Sequence, residues 1–101
     1  MASTQLSTAA AKVDDAFQAY ANENGDGFSA PNYRGAYDYR EEGYRLGEEA
    51  HDLPAEDRDD FIEAQTYAFP ESARYLIGCA ADYRLAELVK AEAPADVRRA
   101  A

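Results

Sequence analysis

Apolar residues recur at helical spacing in four successive stretches of this chain, and no segment alternates polar and apolar residues for long enough to form a strand. The last stretch is the most apolar, and its buried face is expected to comprise Ala73, Leu76, Ile77, Ala80, Ala81, Leu85 and Leu88. Each amphipathic helix must bury its apolar stripe against other helices. We therefore expect an all-α fold, a small antiparallel bundle of about four helices with the fourth at its centre.

Glycine and proline residues separate these stretches and predict the helix ends. The expected helices cover residues 3–24, 32–51, 54–69 and 70–91. Pro94 is expected to end the last helix, so we expect a single domain over residues 1–101 with frayed tails at 1–3 and 94–101. The apolar side of the third helix is expected to comprise Phe61, Ile62, Ala64 and Ala68.

Two glycines of the second helix, Gly43 and Gly47, lie on its apolar face. Glycine lowers helix propensity by about 1 kcal/mol relative to alanine, so its presence there needs another reason. Because glycine has no side chain, we expect another helix to approach closely at these two positions.

The net charge restricts the partners of the chain. There are 20 acidic and 10 basic residues, which give a net charge of −10. Phosphates repel such a surface, so we expect no direct binding to nucleic acid and no membrane partner, and a basic protein is the favoured partner. Only two of the basic residues are lysines, and alanine is abundant. This composition is also typical of an acidic proteome, in which acidity is a general adaptation.

Cysteine usage and hydropathy indicate a cytoplasmic location. Cys79 is the only cysteine, which excludes an intrachain disulfide and a multi-cysteine zinc site. Residues 1–5 lack the basic region and the apolar run of a signal peptide. The longest apolar run, from Tyr75 to Ala81, is too short to span a bilayer.

No catalytic motif stands out in the sequence. It contains no Gly-x-Ser-x-Gly, no His-Glu-x-x-His and no phosphate-binding glycine loop. The one histidine, His51, lies at a predicted helix end, where the helix dipole favours a cation. We therefore expect a protein that is not an enzyme, with no catalytic residue and no cofactor.

The loop from Asn22 to Gly27 is similar to the first half of an EF-hand calcium loop, with oxygen donors at positions 1, 3 and 5 and glycine at position 6. Position 12 would be Tyr33 instead of the bidentate glutamate, and Pro31 interrupts the loop. We therefore expect no metal site, and titration calorimetry should show no micromolar calcium binding. A small-ligand or metal-binding helical protein remains an alternative.

Acidic residues concentrate between Asp38 and Glu63, where eleven of them face three arginines and the net charge is −8. The eleven, here called the acidic face, are Asp38, Glu41, Glu42, Glu48, Glu49, Asp52, Glu56, Asp57, Asp59, Asp60 and Glu63. Carboxylates three or four residues apart on a helix are neighbours, at about 5–6 Å between Cβ atoms. The acidic face is therefore interpreted as a docking surface for a basic protein, and an ordinary solvated surface is the alternative.

Two arginines, Arg40 and Arg84, project into the apolar arcs of the second and fourth helices. Either their stems pack and their heads reach water, or these faces continue into an interface together with Tyr37 and Tyr44. The second alternative predicts a homodimer, or another partner that covers these four residues.

The stretch Tyr33-Arg34-Gly35-Ala36-Tyr37-Asp38-Tyr39-Arg40-Glu41-Glu42, continuing through Gly47-Glu48-Glu49-Ala50 to Leu53-Pro54, resembles a segment of ArdA-type antirestriction proteins. Those proteins carry a Tyr-x-Gly-x-Tyr-Asp run followed by an acidic helix, and they are acidic DNA mimics that occupy the DNA groove of restriction enzymes. Members of the family are longer and not all-helical, so the resemblance bears on function only.

The resemblance implies a non-enzymatic inhibitor that mimics nucleic acid and blocks a DNA- or RNA-binding host-defence protein, of the antirestriction or anti-CRISPR type. Such inhibitors are typical of phages and mobile elements. The alternative is an oligomerising or adaptor helical domain from an acidic proteome.

Overall fold

The structure, a computed structural model, describes the backbone of residues 2–25 and 31–100 and the side chains of residues 6–25 and 31–92. It contains the helices α1 (Ala2–Glu23), α2 (Tyr33–His51), α3 (Ala55–Thr66) and α4 (Glu71–Ala100). The described ranges contain no strand, and the predicted all-α bundle is confirmed. None of the helices described is long and apolar enough to cross a membrane.

Local sequence signals set the beginnings of α2 and α3. The side-chain oxygen of Asn32 accepts a hydrogen bond from the backbone N–H of Gly35 at 2.9 Å and caps α2. Pro54 immediately precedes α3, whose first turn carries Glu56 and Asp57, and negative charge is favourable at this end of a helix. The helix α3 ends at Thr66, earlier than the sequence predicted, because the following residues form a turn.

The helix α4 continues to Ala100, beyond the end near Ala91 that Pro94 predicted. Proline has no N–H to donate to the carbonyl four residues earlier, so the helix loses one hydrogen bond at Pro94. Its neighbours in sequence are alanine and glutamate, which are among the best helix formers. One missing hydrogen bond therefore does not end this helix.

The two glycines on the apolar face of α2 allow α4 to pack closely against it. A Cβ atom at Gly43 would lie 2.5 Å from both the Cβ of Ala80 and the carbonyl oxygen of Ile77. A Cβ atom at Gly47 would lie 2.6 Å from the carbonyl oxygen of Ala81. The predicted close approach is confirmed, and α4 contacts all three other helices, as expected for the central helix.

The buried core contains five of the seven residues predicted for the buried face of α4, and the other two, Leu85 and Leu88, are half-buried. Its apolar residues are Val13, Ala16, Phe17, Ala21, Ala36, Leu46, Ala50, Ile62, Ala73, Leu76, Ile77, Ala80 and Ala81. On α3 the prediction was wrong for Ala64 and Ala68, which are exposed. Ile62 is buried as predicted, and the helix also turns Thr66 inward, since residues four apart share a face. The hydroxyl of Thr66 donates to a carbonyl of its own helix at 2.7 Å, so its burial leaves no donor without a partner.

Candidate functional site

The acidic face is almost wholly exposed. Of its eleven residues, only Glu42 is half-buried, and the other ten are exposed. On α2 these carboxylates occupy the side opposite the buried residues Ala36, Leu46 and Ala50. The helices α2 and α3 are in contact and are joined by a short turn, so the two halves of the acidic face lie on neighbouring helices.

Two arginines make ion pairs with three carboxylates of the acidic face. Arg45 contacts Glu42 at 3.0 Å and also binds Glu49, and Arg84 donates to Glu48 at 3.0 Å. Within the described side chains, the other eight residues of the acidic face make no ion pair and no side-chain hydrogen bond; they are Asp38, Glu41, Asp52, Glu56, Asp57, Asp59, Asp60 and Glu63. These eight carboxylates can therefore receive a cation from outside the molecule.

Arg58 lies within the acidic sequence, but among the described residues it donates hydrogen bonds to backbone carbonyls and not to carboxylates. Its Nε donates to the carbonyl of Leu53 and its Nη2 to the carbonyl of His51, both at 3.0 Å. The carbonyl of His51 belongs to the last turn of α2, where intrahelical donors are missing, and that of Leu53 belongs to the turn between α2 and α3. The Nε2 of His51 lies 3.2 Å from a carboxylate oxygen of Glu92 and makes no hydrogen bond among the described residues.

Three of the predicted interface residues, Tyr37, Arg40 and Tyr44, form one cluster with Phe17. The guanidinium carbon of Arg40 lies 4.7 Å from the ring centroid of Tyr37, 4.8 Å from that of Phe17 and 5.9 Å from that of Tyr44. The Nε of Arg40 is buried and has no hydrogen-bond partner. Cation–π attraction of about 0.5–1 kcal/mol per exposed contact offsets part of the cost of that donor.

The fourth predicted interface residue, Arg84, lies apart from this cluster, along the line where α2 and α4 meet. A Cβ atom at Gly47 would lie 2.8 Å from the Cβ of Arg84, so the arginine stem packs against α2. The guanidinium binds Glu48 and, at 3.2 Å, Glu87, and a third of the side chain is exposed. The sequence left two alternatives for Arg84, a packed stem with its charged head in water or an interface. The structure shows the first, with the aliphatic stem packed and the guanidinium at the surface.

The loop that is similar to a calcium site is only partly described. Residues 26–30 lie outside the described residues, so the expected absence of calcium binding at Asn22–Gly27 stays a prediction. The first residues of the loop belong to the last turn of α1, and the side-chain amide of Asn24 donates to the carbonyl of Tyr20 at 3.0 Å. Among the side chains described, no group of three or more His, Cys, Asp or Glu residues is placed to hold a metal.

The sequence did not predict a groove that runs between α3 and α4, with a volume of about 410 Å³. It is lined by Asp59, Ile62, Glu63 and Thr66 from α3 and by Arg74, Tyr75, Gly78, Cys79 and Asp82 from α4. Each helix contributes residues at positions i, i+3, i+4 and i+7, which form one stripe along a helix. This spacing is visible in the sequence, but the sequence does not predict that these two stripes face each other.

Partial burial in this groove shifts the pKa of two groups. Desolvation raises the pKa of the Asp82 carboxyl and the charge of Asp59 raises it further, whereas Lys12 lowers it. Asp82 as a whole is exposed, so water still reaches the carboxyl and its pKa rises less than full burial would cause. Burial likewise raises the pKa of the Cys79 thiol, whereas a hydrogen bond with Tyr75 lowers it.

Comparison with protein-family models finds no match to this chain. Comparisons with curated proteins and with solved structures find none either.

Proposed function

We propose that the protein is an acidic, non-enzymatic inhibitor that mimics nucleic acid and blocks a DNA- or RNA-binding host-defence protein of the antirestriction or anti-CRISPR type. The observation that carries the proposal is the exposure of the acidic face, eight of whose carboxylates have no ion pair in the described part of the chain. The similarity of residues 33–54 to a segment of ArdA-type antirestriction proteins supports the same function.

The fold gives this surface two properties that a nucleic-acid mimic needs. Helices hold the carboxylates at fixed spacings, so little conformational entropy is lost when a basic surface binds them. The net charge of −10 attracts a basic partner over a distance. Binding should therefore be fast at low salt and weaken as salt screens the attraction.

The test removes unpaired carboxylates only. A variant with Asp38→Asn, Glu41→Gln and Asp60→Asn loses three charges from the acidic face and breaks no ion pair of the described structure. Replacing Glu42, Glu48 or Glu49 would be less informative, because it would release Arg45 or Arg84.

The measurement is competition of the purified protein with labelled DNA for a panel of restriction and CRISPR complexes, at low and high salt. We expect the variant to compete roughly tenfold less well, since three charge contacts of about 0.2–1 kcal/mol each are lost. The control replaces three exposed acids of α1, Asp14→Asn, Asp15→Asn and Glu23→Gln, and should compete nearly as well as the parent. If no complex releases DNA, or if both variants lose activity equally, the acidic face is only a solvated surface.

The cluster around Arg40 favours a second candidate, an oligomerising or adaptor domain. Tyr37, which contacts Arg40, is 53% exposed, and Tyr33, which stacks on Phe17, is 43% exposed. Interfaces are enriched in tyrosine and arginine. In this case Tyr37→Ala should reduce the mass measured by light scattering at high micromolar concentration from dimer to monomer. A monomeric parent would leave no basis for the homodimer.

A further inference from the structure

The groove between α3 and α4 contains three carboxylates, Asp59, Glu63 and Asp82, and the charge of Lys12 on α1 acts on Asp82 without an ion pair. None makes an ion pair or a side-chain hydrogen bond in the described part of the chain. Arg74 of α4 also lines the groove, but its Nε donates to the carbonyl of Phe69 at 3.2 Å and its guanidinium carbon lies 4.9 Å from the ring centroid of Tyr67. A cation that entered the groove would therefore meet acceptors that are not already satisfied.

The floor of the groove is open and largely apolar. A Cβ atom added at Gly78 would meet no atom within 4 Å, so the backbone of α4 is accessible there. Ile62 is buried beneath the groove and Cys79 is half-buried. Tyr75 is 67% exposed and presents an aromatic ring at the edge. An apolar floor below carboxylates suits a side chain with an aliphatic stem and a charged end.

We propose that this groove receives an arginine side chain of the basic partner, with its stem over Gly78 and its guanidinium between the carboxylates of Asp59, Glu63 and Asp82. The planar guanidinium offers five donors and stacks on aromatic rings such as Tyr75, whereas the ammonium of lysine is a compact point charge. The inference rests on the proposed function only in taking the partner to be basic.

The test uses the full chain and two synthetic peptides, hexa-arginine and hexalysine, in calorimetric titrations at about 150 mM salt, where long-range attraction is screened. Gly78→Leu fills the groove without changing the charge, and it replaces glycine by a better helix former, so the fold should persist. Asp82→Asn removes one groove carboxylate, and Asp60→Asn removes one exposed carboxylate outside the groove as the matched control.

We expect Gly78→Leu and Asp82→Asn each to weaken hexa-arginine binding at least roughly tenfold, and Asp60→Asn to change it less than about threefold. Hexa-arginine should also slow alkylation of Cys79 in the parent, because this thiol lines the groove. Hexalysine should bind more weakly and should protect Cys79 less.

Four results would overturn the inference: unchanged binding by Gly78→Leu, equal losses in Asp82→Asn and Asp60→Asn, no protection of Cys79, or equal binding of both peptides. The results that would contradict the proposed function differ from these four. If hexa-arginine binds in the groove but no nucleic-acid-binding complex releases DNA, the inhibitor function is wrong and the groove assignment stands. If the acidic-face variant loses competition and Gly78→Leu does not, the groove assignment is wrong and the inhibitor function stands.

Discussion

At the scale of single residues, arginine has several different structural roles in this protein. Arg58 and Arg74 each donate their Nε to the carbonyl five residues earlier, that of Leu53 and that of Phe69. In both places the acceptor residue is followed by a proline and the arginine is the fourth residue of the next helix. The pattern apolar-Pro-x-x-x-Arg thus ties the start of a helix to the turn before it.

Arg58→Met should lower the free energy of unfolding by about 1–3 kcal/mol. The substitution keeps an unbranched stem but removes the donors to two backbone carbonyls, that of His51 at the end of α2 and that of Leu53 in the turn after it. The measurement is urea denaturation followed by circular dichroism. Arg34→Met is the control, because Arg34 is exposed and has no partner among the described residues. Equal effects of the two substitutions would show that the carbonyl contacts contribute nothing.

Asp82→Asn should stabilise the protein at neutral pH and have no effect at low pH. Because desolvation and Asp59 raise the pKa of Asp82 above its ordinary 3.8, the folded state binds the proton more tightly than the unfolded state does. The parent therefore loses stability as pH rises through this raised pKa, and an asparagine does not ionise. Urea denaturation between pH 3 and pH 7 measures the difference. A difference that is the same at every pH would contradict the assigned cause.

At the scale of helices, the contact between α2 and α4 depends on missing side chains. Gly43 and Gly47 bring the backbones together, and the core residues Leu46 and Ile77 are almost fully buried beside this contact. The groove on the other side of α4 has the opposite property, because the space next to Gly78 is empty. Gly43 and Gly78 both lie inside helices, but Gly43 allows a close helix contact and Gly78 borders an open groove.

Gly43→Ala and Gly78→Ala should change stability in opposite directions. At Gly43 the new methyl group would lie 2.5 Å from a backbone oxygen of α4, and overpacking of this kind costs about 1–3 kcal/mol. At Gly78 it meets nothing, so the gain in helix propensity of up to about 1 kcal/mol remains. Thermal unfolding followed by circular dichroism compares both with the parent. Destabilisation by Gly78→Ala would mean that the groove is closed in solution.

At the scale of the whole molecule, the charge imbalance acts on an elongated body of 58 × 25 × 17 Å. With a net charge of −10, the folded chain repels itself, and few of the carboxylates among the described side chains are ion-paired. Part of the free energy gained on burying the core is offset by this repulsion. The same charges are the ones that we propose a partner binds.

Raising NaCl from about 10 to about 150 mM should therefore raise the thermal unfolding midpoint, because the screening length falls from about 30 to about 8 Å. The variant with Asp38→Asn, Glu41→Gln and Asp60→Asn carries less repulsion and should gain less from salt. Calorimetry at several salt concentrations measures both. A midpoint that does not depend on salt would show that the repulsion is negligible in the folded state.

The sequence by itself determined the number and order of the helices, most of the buried face of α4, and the exposure of the acidic face. These follow from residue spacing within one helix, which acts over a few residues. The positions of Gly43 and Gly47 also predicted a close contact, since a glycine on an apolar helical face serves packing.

Only the tertiary structure decided which helix each face meets. It placed Arg40 on aromatic rings and Arg84 between two carboxylates, although both project into apolar arcs in the sequence. It also turned Thr66 inward on α3, on the same face as the predicted Ile62, and formed the groove with α4. These outcomes depend on contacts between residues distant in the chain, and a periodic pattern contains no information about which two stripes meet.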